Sequence, residues 1–340
     1  MVLANLNDAY KYSGQVRLDF SSNIYNHANL TWLKMYMAER MDCIRHYPEP
    51  EPFRLEEMIA EQLGVSNDSV MVTNGSTEAI YLLALLYRGY ASIIPQPTHI
   101  EYADACRIHR HIISYENNEE LSQLSEKRVY WICNPNNPSG NVLMKGFLDY
   151  IVRQQQDYIY IVDQSYEYYT KSALFVPREV VRLPHLILLH SLSKQYGIPG
   201  LRLGYITANP SIIHQLREIR QPYAVSNMAI EAGCWLVENG VNGQPDFNSY
   251  IEEADRLHKE LQQIAGIRMF DSKSCFMLGQ IESMTATELK HHLLQEHGIL
   301  IRDCSTFSGL SNQFFRVTAQ TPHEDDQLIE AIKSLLGSYS

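Results

Sequence analysis

The chain has 340 residues, of which 45% are hydrophobic and 20% are charged, and its formal net charge is −11. Typical domains contain roughly 100–200 residues, so this length predicts one large domain and a smaller one. The acidic balance and the lack of a basic run argue against binding to nucleic acid or to an anionic membrane. An acidic protein can still bind anionic ligands, because local arginines and helix ends decide the charge of a site.

Neither the apolar runs nor the cysteines indicate a membrane or secreted protein. No apolar run approaches the roughly 20 residues that span a bilayer, and Met1–Tyr12 lacks the pattern of a signal peptide. The histidines of His109–His111 and His291–His292 lack a third ligand in suitable context, so we expect no metal site. The cysteines form no C-x-x-C pair, and we expect reduced thiols in the cytoplasm. They are Cys43, Cys106, Cys133, Cys234, Cys275 and Cys304.

The middle of the sequence alternates short apolar runs with helical patterns. Thr77–Arg88 is rich in Ala and Leu and apolar on nearly all sides, as a buried crossover helix should be, and Gly146–Gln156 is a second helix. Strands that alternate with helices predict an α/β fold with a doubly wound, mostly parallel sheet covered on both faces. The predicted strands are Val70–Thr73, Ala91–Pro95, Val129–Cys133, Tyr158–Val162 and Leu186–His190.

The C-terminal third has an α+β pattern, which predicts a smaller second domain. We place the seam near Arg220–Ser226. The chain then divides into an N-terminal segment, residues 1–45, that packs on the small domain, a large domain, residues 46–222, and a small domain, residues 223–340. The predicted helices of this third are Tyr250–Ile264, Thr285–Glu296 and His323–Leu336, and its strands lie around Ile267–Phe270, Phe276–Ile281 and Phe314–Thr318.

The most informative segment, S-L-S-K-Q-Y-G-I-P-G-L-R, directly follows the last predicted strand of the sheet. Lys194 therefore lies at a strand end, where an α/β sheet presents its ligand site. Burial beside other cations lowers the pKa of a lysine and frees its amine to attack an aldehyde. Ser191, Ser193 and Arg202 suit a phosphate group, because they offer small donors and a planar guanidinium. For the lysine taken alone, a solvated side chain in an ordinary polar loop is the better explanation, because most lysines are solvated.

This segment resembles the lysine motif of the class I/II aminotransferases, S-x-S-K with an arginine eight residues after the lysine. The resemblance implies an aspartate-aminotransferase-like fold, the cofactor pyridoxal 5'-phosphate (PLP), and Lys194 as its covalent carrier through a Schiff base. The segment N-G-S-T-E resembles the family's phosphate cup, which implies that Gly75, Ser76 and Thr77 bind the PLP phosphate together with Arg202. N–H groups and the dipole at a helix N-terminus favour an anion there.

Two more segments follow predicted strands in the order that the family has them. C-N-P-N-N-P-S-G resembles the family's N-P-x-N-P-T-G motif, which implies a hydrogen bond between Asn137 and the 3'-oxygen of PLP. In D-Q-S-Y, the resemblance implies that Asp163 pairs with the protonated pyridine nitrogen and keeps the ring an electron sink. Tyr166 would reach the 3'-oxygen beside Asn137. Taken alone, these segments would be a turn and a helix cap.

Two positions depart from the family pattern or extend it. The family usually has an aromatic ring stacked on PLP where this chain has His99, and imidazole stacks less well than Tyr or Trp. Tyr102 is the alternative stacking residue. Tyr47, in Y-P-E-P, resembles the tyrosine that reaches the PLP phosphate of the partner subunit, which implies a homodimer with shared active sites. A surface turn is the alternative interpretation of Tyr47.

Two arginines in predicted short strands near the C-terminus resemble the residues with which the family binds substrate anions. The resemblance implies that Arg316 holds the α-carboxylate through a bidentate guanidinium and that Arg302 holds a second anion. Asn23 and Asn137 are further candidates for substrate contact. A surface salt bridge is the alternative interpretation, and it suits Arg302 better than Arg316.

Two branches of the family compete, histidinol-phosphate aminotransferase and L-threonine-O-3-phosphate decarboxylase of cobalamin side-chain synthesis. Residues 19–23, 97–102 and 301–310 resemble the decarboxylase more closely. That branch carries a His-Gly pair near its N-terminus that helps to bind the substrate phosphate, whereas this chain has Asn5–Asp8. Because the three segments favour the decarboxylase branch in spite of this difference, we predict a decarboxylase acting on a small phosphorylated amino acid. The third interpretation is an effector-binding regulator with the same fold. Such proteins are usually fused to a DNA-binding module, and we expect 340 residues to leave no room for one.

Overall fold

The chain folds around two β-sheets. A computed structural model describes residues 9–12, 14–115, 127–240 and 246–337. In these residues, a seven-stranded sheet has the order β2-β8-β7-β6-β5-β3-β4, a four-stranded sheet has the order β12-β13-β10-β9, and β1 pairs with β11. The strands are β1 (Leu18–Asp19), β2 (Val70–Asn74), β3 (Ala91–Ile93), β4 (Ile112–Ser114), β5 (Arg128–Cys133), β6 (Tyr158–Asp163), β7 (Leu186–His190), β8 (Leu203–Ala208), β9 (Ile267–Met269), β10 (Phe276–Ile281), β11 (Ile299–Leu300), β12 (Arg302–Asp303) and β13 (Phe314–Thr318).

Helices cover both faces of the seven-stranded sheet. Ile187 and Leu189 pack with one layer of helices, whereas Leu186 and Leu188 pack with the layer on the opposite face. Successive side chains of a strand point to opposite faces, so a strand covered on both sides is apolar throughout. The helices are α1 (Thr31–Glu39), α2 (Phe53–Leu63), α3 (Gly75–Leu86), α4 (Glu101–Ile108), α5 (Lys145–Gln154), α6 (Pro177–Val180), α7 (Leu192–Gln195), α8 (Pro210–Ile219), α9 (Asn227–Asn239), α10 (Phe247–Gln262), α11 (Ala286–His297) and α12 (Pro322–Gly337).

The predicted α/β fold with a mostly parallel sheet is confirmed. Strands β5, β6 and β7 match their predicted bounds to within one residue and are parallel to one another. Strand β8 is antiparallel to both β2 and β7 and was not predicted. An antiparallel neighbour needs no crossover helix, so the alternation of strands and helices gives no signal for β8. Strand β4, with three residues, was also missed because its run is too short to show a period.

The C-terminal sheet is antiparallel and packs against α10, α11 and α12 around its own hydrophobic core. Leu18 and Phe20 belong to that core, and β1 pairs with β11. The N-terminal strand therefore packs on the C-terminal sheet, and the assignment of residues 1–45 to the small domain stays a prediction. Leu33 and Met37 of α1, by contrast, pack in the same cluster as residues of β2 and β8.

Helix α9 packs with the large sheet, although the sequence analysis assigned it to the small domain. Ala229 and Leu236 share a hydrophobic cluster with Leu55 of α2. The two helices approach closely because Gly233 has no side chain: a Cβ there would lie 2.6 Å from Leu55 Cδ2. This packing supports placing the seam after Gly240 rather than near Arg220–Ser226, and the domain limits at residues 45 and 222 stay a prediction.

Gly204 allows β8 to lie against the start of α3, so a side chain at this position should destabilise the fold. A Cβ at Gly204 would lie 2.7 Å from Ser76 N and 2.8 Å from His190 O, which are backbone atoms. We expect Gly204→Ala to lower the free energy of unfolding by about 1–3 kcal/mol through overpacking. Gly200→Ala is the matched control, because a Cβ there meets no atom within 4 Å. Urea denaturation of both variants measures the effect, and equal stability of the two would contradict it.

Candidate active site

The carboxyl ends of neighbouring strands bring the predicted residues to one edge of the large sheet. Asp163 is the last residue of β6, Asn137 lies in the loop after β5, and Lys194 lies in α7 directly after β7. Strand β2 runs in the same direction as β7, because β8 lies between them and is antiparallel to both. The N-terminus of α3, at Gly75, therefore reaches the same edge, where α/β sheets bind their ligands.

Two cavities occupy this edge, an inner cavity of about 150 Å³ and an outer cavity of about 210 Å³. His99, Tyr166 and Lys194 line both, so the lysine lies at their junction. The inner cavity is lined by Ser76, Thr77, His99, Cys133, Asp163, Ser165, Tyr166, Ser191, Ser193, Lys194 and Arg202. The outer cavity is lined by Ser21, Ser22, Asn23, Ile24, His99, Ile100, Glu101, Asn137, Tyr166, Lys194, Pro199, Arg302, Phe307 and Arg316.

The phosphate-type donors gather where α3 begins. Gly75 has a φ of +74°, and a Cβ there would lie 2.4 Å from Arg202 Nη2. Glycine is therefore required both by the left-handed backbone and by the close approach of the guanidinium. Arg202 has a φ of +56°, and its Nη1 donates to Pro199 O at 3.0 Å. Hydroxyls, a helix N-terminus and a guanidinium together form a site for an anion.

Lys194 is buried near two other cations, Arg316 and Arg202. Burial, followed by the charges of Arg316 and Arg202, lowers the pKa of Lys194 to about 8, while Asp163 opposes the shift. Its Nζ lies 5.8 Å from the centre of the Tyr166 ring. The neutral amine is the form that attacks a carbonyl carbon, so this environment prepares Lys194 for covalent chemistry.

Asp163 is held by two donors from the protein. Its Oδ1 accepts from Ser165 N–H at 2.9 Å, and its Oδ2 accepts from Tyr102 O–H at 2.7 Å. Tyr102 is fully buried, stacks on Trp131 with ring centres 5.5 Å apart, and lines neither cavity. The position of Tyr102 therefore does not support the alternative that it stacks on a ligand ring.

His99 and Tyr166 are the aromatic side chains that border both cavities. Burial lowers the pKa of His99, so its imidazole is neutral at pH 7, and Asn137 Nδ2 lies 3.5 Å from its Nδ1. Burial also raises the pKa of Tyr166, which keeps the phenol protonated. The position of His99 supports the prediction that its ring stacks on a ligand in the inner cavity.

The outer cavity contains two arginines from the small domain. Arg302 and Arg316 lie directly opposite each other in the pairing of β12 with β13, and both are nearly excluded from solvent. Arg316 donates to Asn137 Oδ1 and, at 2.6 Å, to Ser21 O. Its Nε is buried without a hydrogen-bond partner among the residues that the structure describes. Strands β12 and β13 thus place two cations in one cavity, and Arg316 Nε is the donor that has no partner among the described residues.

The N-terminal segment supplies residues that the sequence analysis did not single out. Ser21 and Ser22 line the outer cavity beside Asn23, whose Oδ1 accepts from Thr318 Oγ1 at 2.9 Å. Phe307 also lines this cavity, and its ring centre lies 5.8 Å from Arg302 Cζ. These residues lie within the segments that resemble the decarboxylase branch, and only that resemblance could have indicated them.

Two predicted features lie away from the cavities or outside the described residues. Tyr47 is 87% exposed, its ring centre lies 5.4 Å from that of Tyr223, and it lines neither cavity of its own subunit. Its contact with a partner subunit's site stays a prediction. Asn5–Asp8, which replaces the His-Gly pair, lies outside the described residues.

Metal-ligand clusters and membrane-spanning helices are absent from the described parts of the chain. In those parts, no group of three or more His, Cys, Asp or Glu residues is arranged to hold a metal ion. No described helix has both the length and the apolar character needed to cross a bilayer. The six cysteines are free thiols.

Comparison with known proteins identifies the family. A family model described as aminotransferase class I and II matches residues 16–334. The chain belongs to this family.

L-Threonine-O-3-phosphate decarboxylase from Porphyromonas gingivalis is a similar solved structure. It is 32% identical with a TM-score of 0.89, and the match covers 94% of this chain and 99% of that one. Histidinol-phosphate aminotransferase from Thermoanaerobacter pseudethanolicus is 31% identical over 304 residues, which are 85% of this chain and 84% of that protein. Threonine-phosphate decarboxylase from Salmonella typhimurium is 26% identical over 334 residues, or 94% and 91% of the two chains.

Membership of the class I and II aminotransferases confirms three predictions. The fold is the aspartate-aminotransferase-like fold, the protein is an enzyme, and its cofactor is PLP. The inner cavity suits this cofactor chemically, because it combines an anion site at the start of α3, a buried carboxylate at Asp163 and the amine of Lys194. Decarboxylases and aminotransferases match the chain at similar identity.

The lowered pKa of Lys194 predicts how attachment of PLP to the apoenzyme depends on pH. The ordinary pKa of lysine is 10.5, and the site lowers it to about 8. The neutral fraction, and therefore the attachment rate, should rise about tenfold per pH unit below 8 and level off above it. Stopped-flow absorbance with excess PLP measures this rate. The rate of PLP with Nα-acetyl-lysine, divided by the neutral fraction of that amine, gives the correction for the ionisation of PLP. A corrected rate that still rises tenfold per unit between pH 8.5 and 10 would contradict the prediction.

Proposed function

We propose that this PLP enzyme removes CO₂ from a small phosphorylated amino acid, and that L-threonine-O-3-phosphate is its best candidate substrate. The observation that carries the proposal is the pair Arg302 and Arg316, which lines one cavity together with Lys194. A substrate with both a carboxylate and a phosphate offers one anion to each guanidinium. The similarity to L-threonine-O-3-phosphate decarboxylase over 94% of the chain adds support.

The charge arrangement favours a ligand with two negative groups. Like charges directly opposite each other on neighbouring strands are destabilising, and here Arg302 faces Arg316 across β12 and β13. Burial adds a desolvation cost, which lowers the pKa of Arg316. A ligand that brings two anions offsets both costs. Arg202 lines the inner cavity only, so it remains for the cofactor phosphate.

We propose that the cofactor lies in the inner cavity and that Asn137, which lines the adjoining outer cavity, reaches its edge. Asp163 would hold the protonated pyridine nitrogen, and Asn137 and Tyr166 would hold the 3'-oxygen. His99 would cover one face of the ring. The PLP phosphate would take its donors from Gly75, Ser76, Thr77, Ser191, Ser193 and Arg202.

The chain's own residues select which substrate bond breaks. PLP, when bound, withdraws electrons from the Cα bond that stands perpendicular to its ring. Arg316 would hold the carboxylate and Arg302 the phosphate, and fixing both ends of a small molecule fixes the rotation about its Cα. Lys194 lies at the junction of the two cavities, where its Nζ can hold the proton that replaces the lost carboxylate on Cα. Asn23 would complete the substrate contacts beside Arg316.

A histidinol-phosphate-type aminotransferase is the second candidate. The 31% identity to a histidinol-phosphate aminotransferase over 85% of the chain favours it. The arginine pair also suits this reaction, because 2-oxoglutarate, the amino acceptor, carries two carboxylates. The two candidates differ in products: the decarboxylase releases CO₂ and aminopropanol phosphate, whereas the aminotransferase forms glutamate.

Substitution of Arg302 tests the substrate assignment. Loss of a charge-assisted hydrogen bond costs about 1.5–3 kcal/mol, or roughly 10–150-fold in binding. We expect Arg302→Ala to raise KM for L-threonine phosphate by about that factor and to change the binding of L-threonine, which has no phosphate, hardly at all. Arg268→Ala is the matched control, because Arg268 is exposed on β9 of the same sheet.

Direct assays decide between the two reactions. The holoenzyme is incubated with L-threonine phosphate, and CO₂ and aminopropanol phosphate are measured. In parallel, it is incubated with histidinol phosphate and 2-oxoglutarate, and glutamate is measured. Robust glutamate formation without CO₂ release from threonine phosphate would overturn the decarboxylase and leave the fold and cofactor unchanged.

We also propose that the enzyme is a cytoplasmic homodimer in which Tyr47 completes the partner's site. Its 87% exposure leaves the phenol available to a second subunit. Tyr47→Ala and Lys194→Ala homodimers should each be nearly inactive, whereas mixing them should restore up to about a quarter of wild-type activity, because each hybrid holds one intact site. Native mass spectrometry verifies subunit exchange. Absence of rescue in verified hybrids would mean that Tyr47 serves no shared site.

A further inference from the structure

Tyr102 contacts three residues that line the inner cavity, Asp163, His99 and Cys133, and it donates a hydrogen bond to the first of them. Its O–H donates to Asp163 Oδ2 at 2.7 Å, while Ser165 N–H donates to Oδ1 at 2.9 Å. Tyr102 is fully buried and lines neither cavity. A carboxylate has about four acceptor sites, so these two donors leave lone pairs for a cation in the inner cavity.

We propose that Tyr102 is a positioning residue that fixes the orientation and the proton affinity of Asp163. A hydrogen bond donated to a carboxylate stabilises its charged form and makes it a weaker base. With a donor on each oxygen, the carboxylate also cannot rotate freely about Cβ–Cγ. This inference rests on the proposed pairing of Asp163 with the PLP ring nitrogen, and it does not depend on which substrate the enzyme uses.

The surroundings of Tyr102 hold its phenol in place. Its ring stacks on Trp131 with an angle of 22° between the planes, and Trp131 Nε1 donates to Ser92 Oγ at 3.1 Å. The titratable neighbours are Asp163, His99, whose ring meets that of Tyr102 edge-on at 5.4 Å, and the Cys133 thiol. Burial and the charge of Asp163 raise the pKa of Tyr102 well above its ordinary value. The phenol is therefore a hydrogen-bond donor throughout the working pH range.

Removal of this donor has a defined consequence for the proton that Asp163 shares with the ring. A buried carboxylate with one donor fewer is a stronger base, so the proton shifts from the ring nitrogen towards Asp163. The bound cofactor would then carry less positive charge and would supply weaker electron withdrawal. Lys194 Nζ, once joined to the cofactor, would become more basic, because a nearby positive charge would be removed.

Tyr102→Phe tests the proposal, since it keeps the ring stack and removes only the donor. We expect the dissociation constant of PLP to rise about 10-fold or more. We expect the pH midpoint of the visible absorption band of the lysine-bound cofactor to move upward. The value of kcat should fall roughly 10–100-fold while KM changes less than threefold.

Tyr160→Phe is the matched control. Tyr160 lies in β6, the strand that carries Asp163, is fully buried, and donates to Ile151 O at 3.3 Å. Its substitution tests loss of a buried phenol without loss of a donor to Asp163. We expect PLP affinity and the absorption midpoint to stay at wild-type values.

A double-mutant cycle separates this proposal from the cofactor assignment. In an Asp163→Ala background, Tyr102→Phe should change PLP affinity less than twofold, because its acceptor is gone. A near-normal Asp163→Ala enzyme would show that the cofactor assignment itself is wrong. If Asp163→Ala is impaired but Tyr102→Phe keeps the wild-type midpoint and affinity, the role of Tyr102 is overturned.

A second substitution covers the case in which Tyr102→Phe does not fold. Tyr102→4-aminophenylalanine keeps the ring and a weaker donor, so its absorption midpoint and PLP affinity should remain closer to wild type than to Asp163→Ala. Values equal to those of Asp163→Ala in this folded protein would overturn the proposal.

Discussion

The active site depends on a balance of buried charges. Lys194, Arg202, Arg302 and Arg316 line the two cavities, and only Asp163 and Glu101 among the lining residues are acidic. Burial raises the pKa of Glu101, and its carboxyl group accepts a hydrogen bond from Tyr81 at 3.1 Å. The cavities are therefore electropositive inside a chain whose net charge is −11. Local geometry sets the field that an anionic ligand meets, and the total charge does not.

The positive charges come from segments of two different sheets, so the site forms only when these sheets pack together. Lys194 and Arg202 belong to the large domain, whereas Arg302 and Arg316 belong to the C-terminal sheet. Arg316 joins the domains directly, since it donates to Asn137 Oδ1 of the large domain and to Ser21 O of the N-terminal segment. A substrate held by Arg316 thus contacts a residue whose position depends on both domains, which links binding to the relative placement of the domains.

The same fold serves both decarboxylation and transamination because the cofactor supplies the shared chemistry. The inner cavity contains the groups that both reactions need, namely the amine, the carboxylate and the anion site. We propose that the reaction is selected in the outer cavity, where the positions of Arg302 and Arg316 would decide how the substrate is rotated over the ring. Relatives of both kinds match the chain at similar identity.

The sequence by itself determined the features that depend on neighbouring residues. The apolar runs predicted β5, β6 and β7, and the spacing of Ser191, Ser193, Lys194 and Arg202 predicted one phosphate-and-amine site, because strand ends of a parallel sheet meet at one edge. The hydrogen bond from Tyr102 to Asp163 links residues 61 positions apart, and no local pattern encodes it. The packing of α9 on α2 likewise depends on the small size of Gly233 opposite Leu55. Tertiary structure decided these features, because the contacts that produce them form only when distant segments pack together.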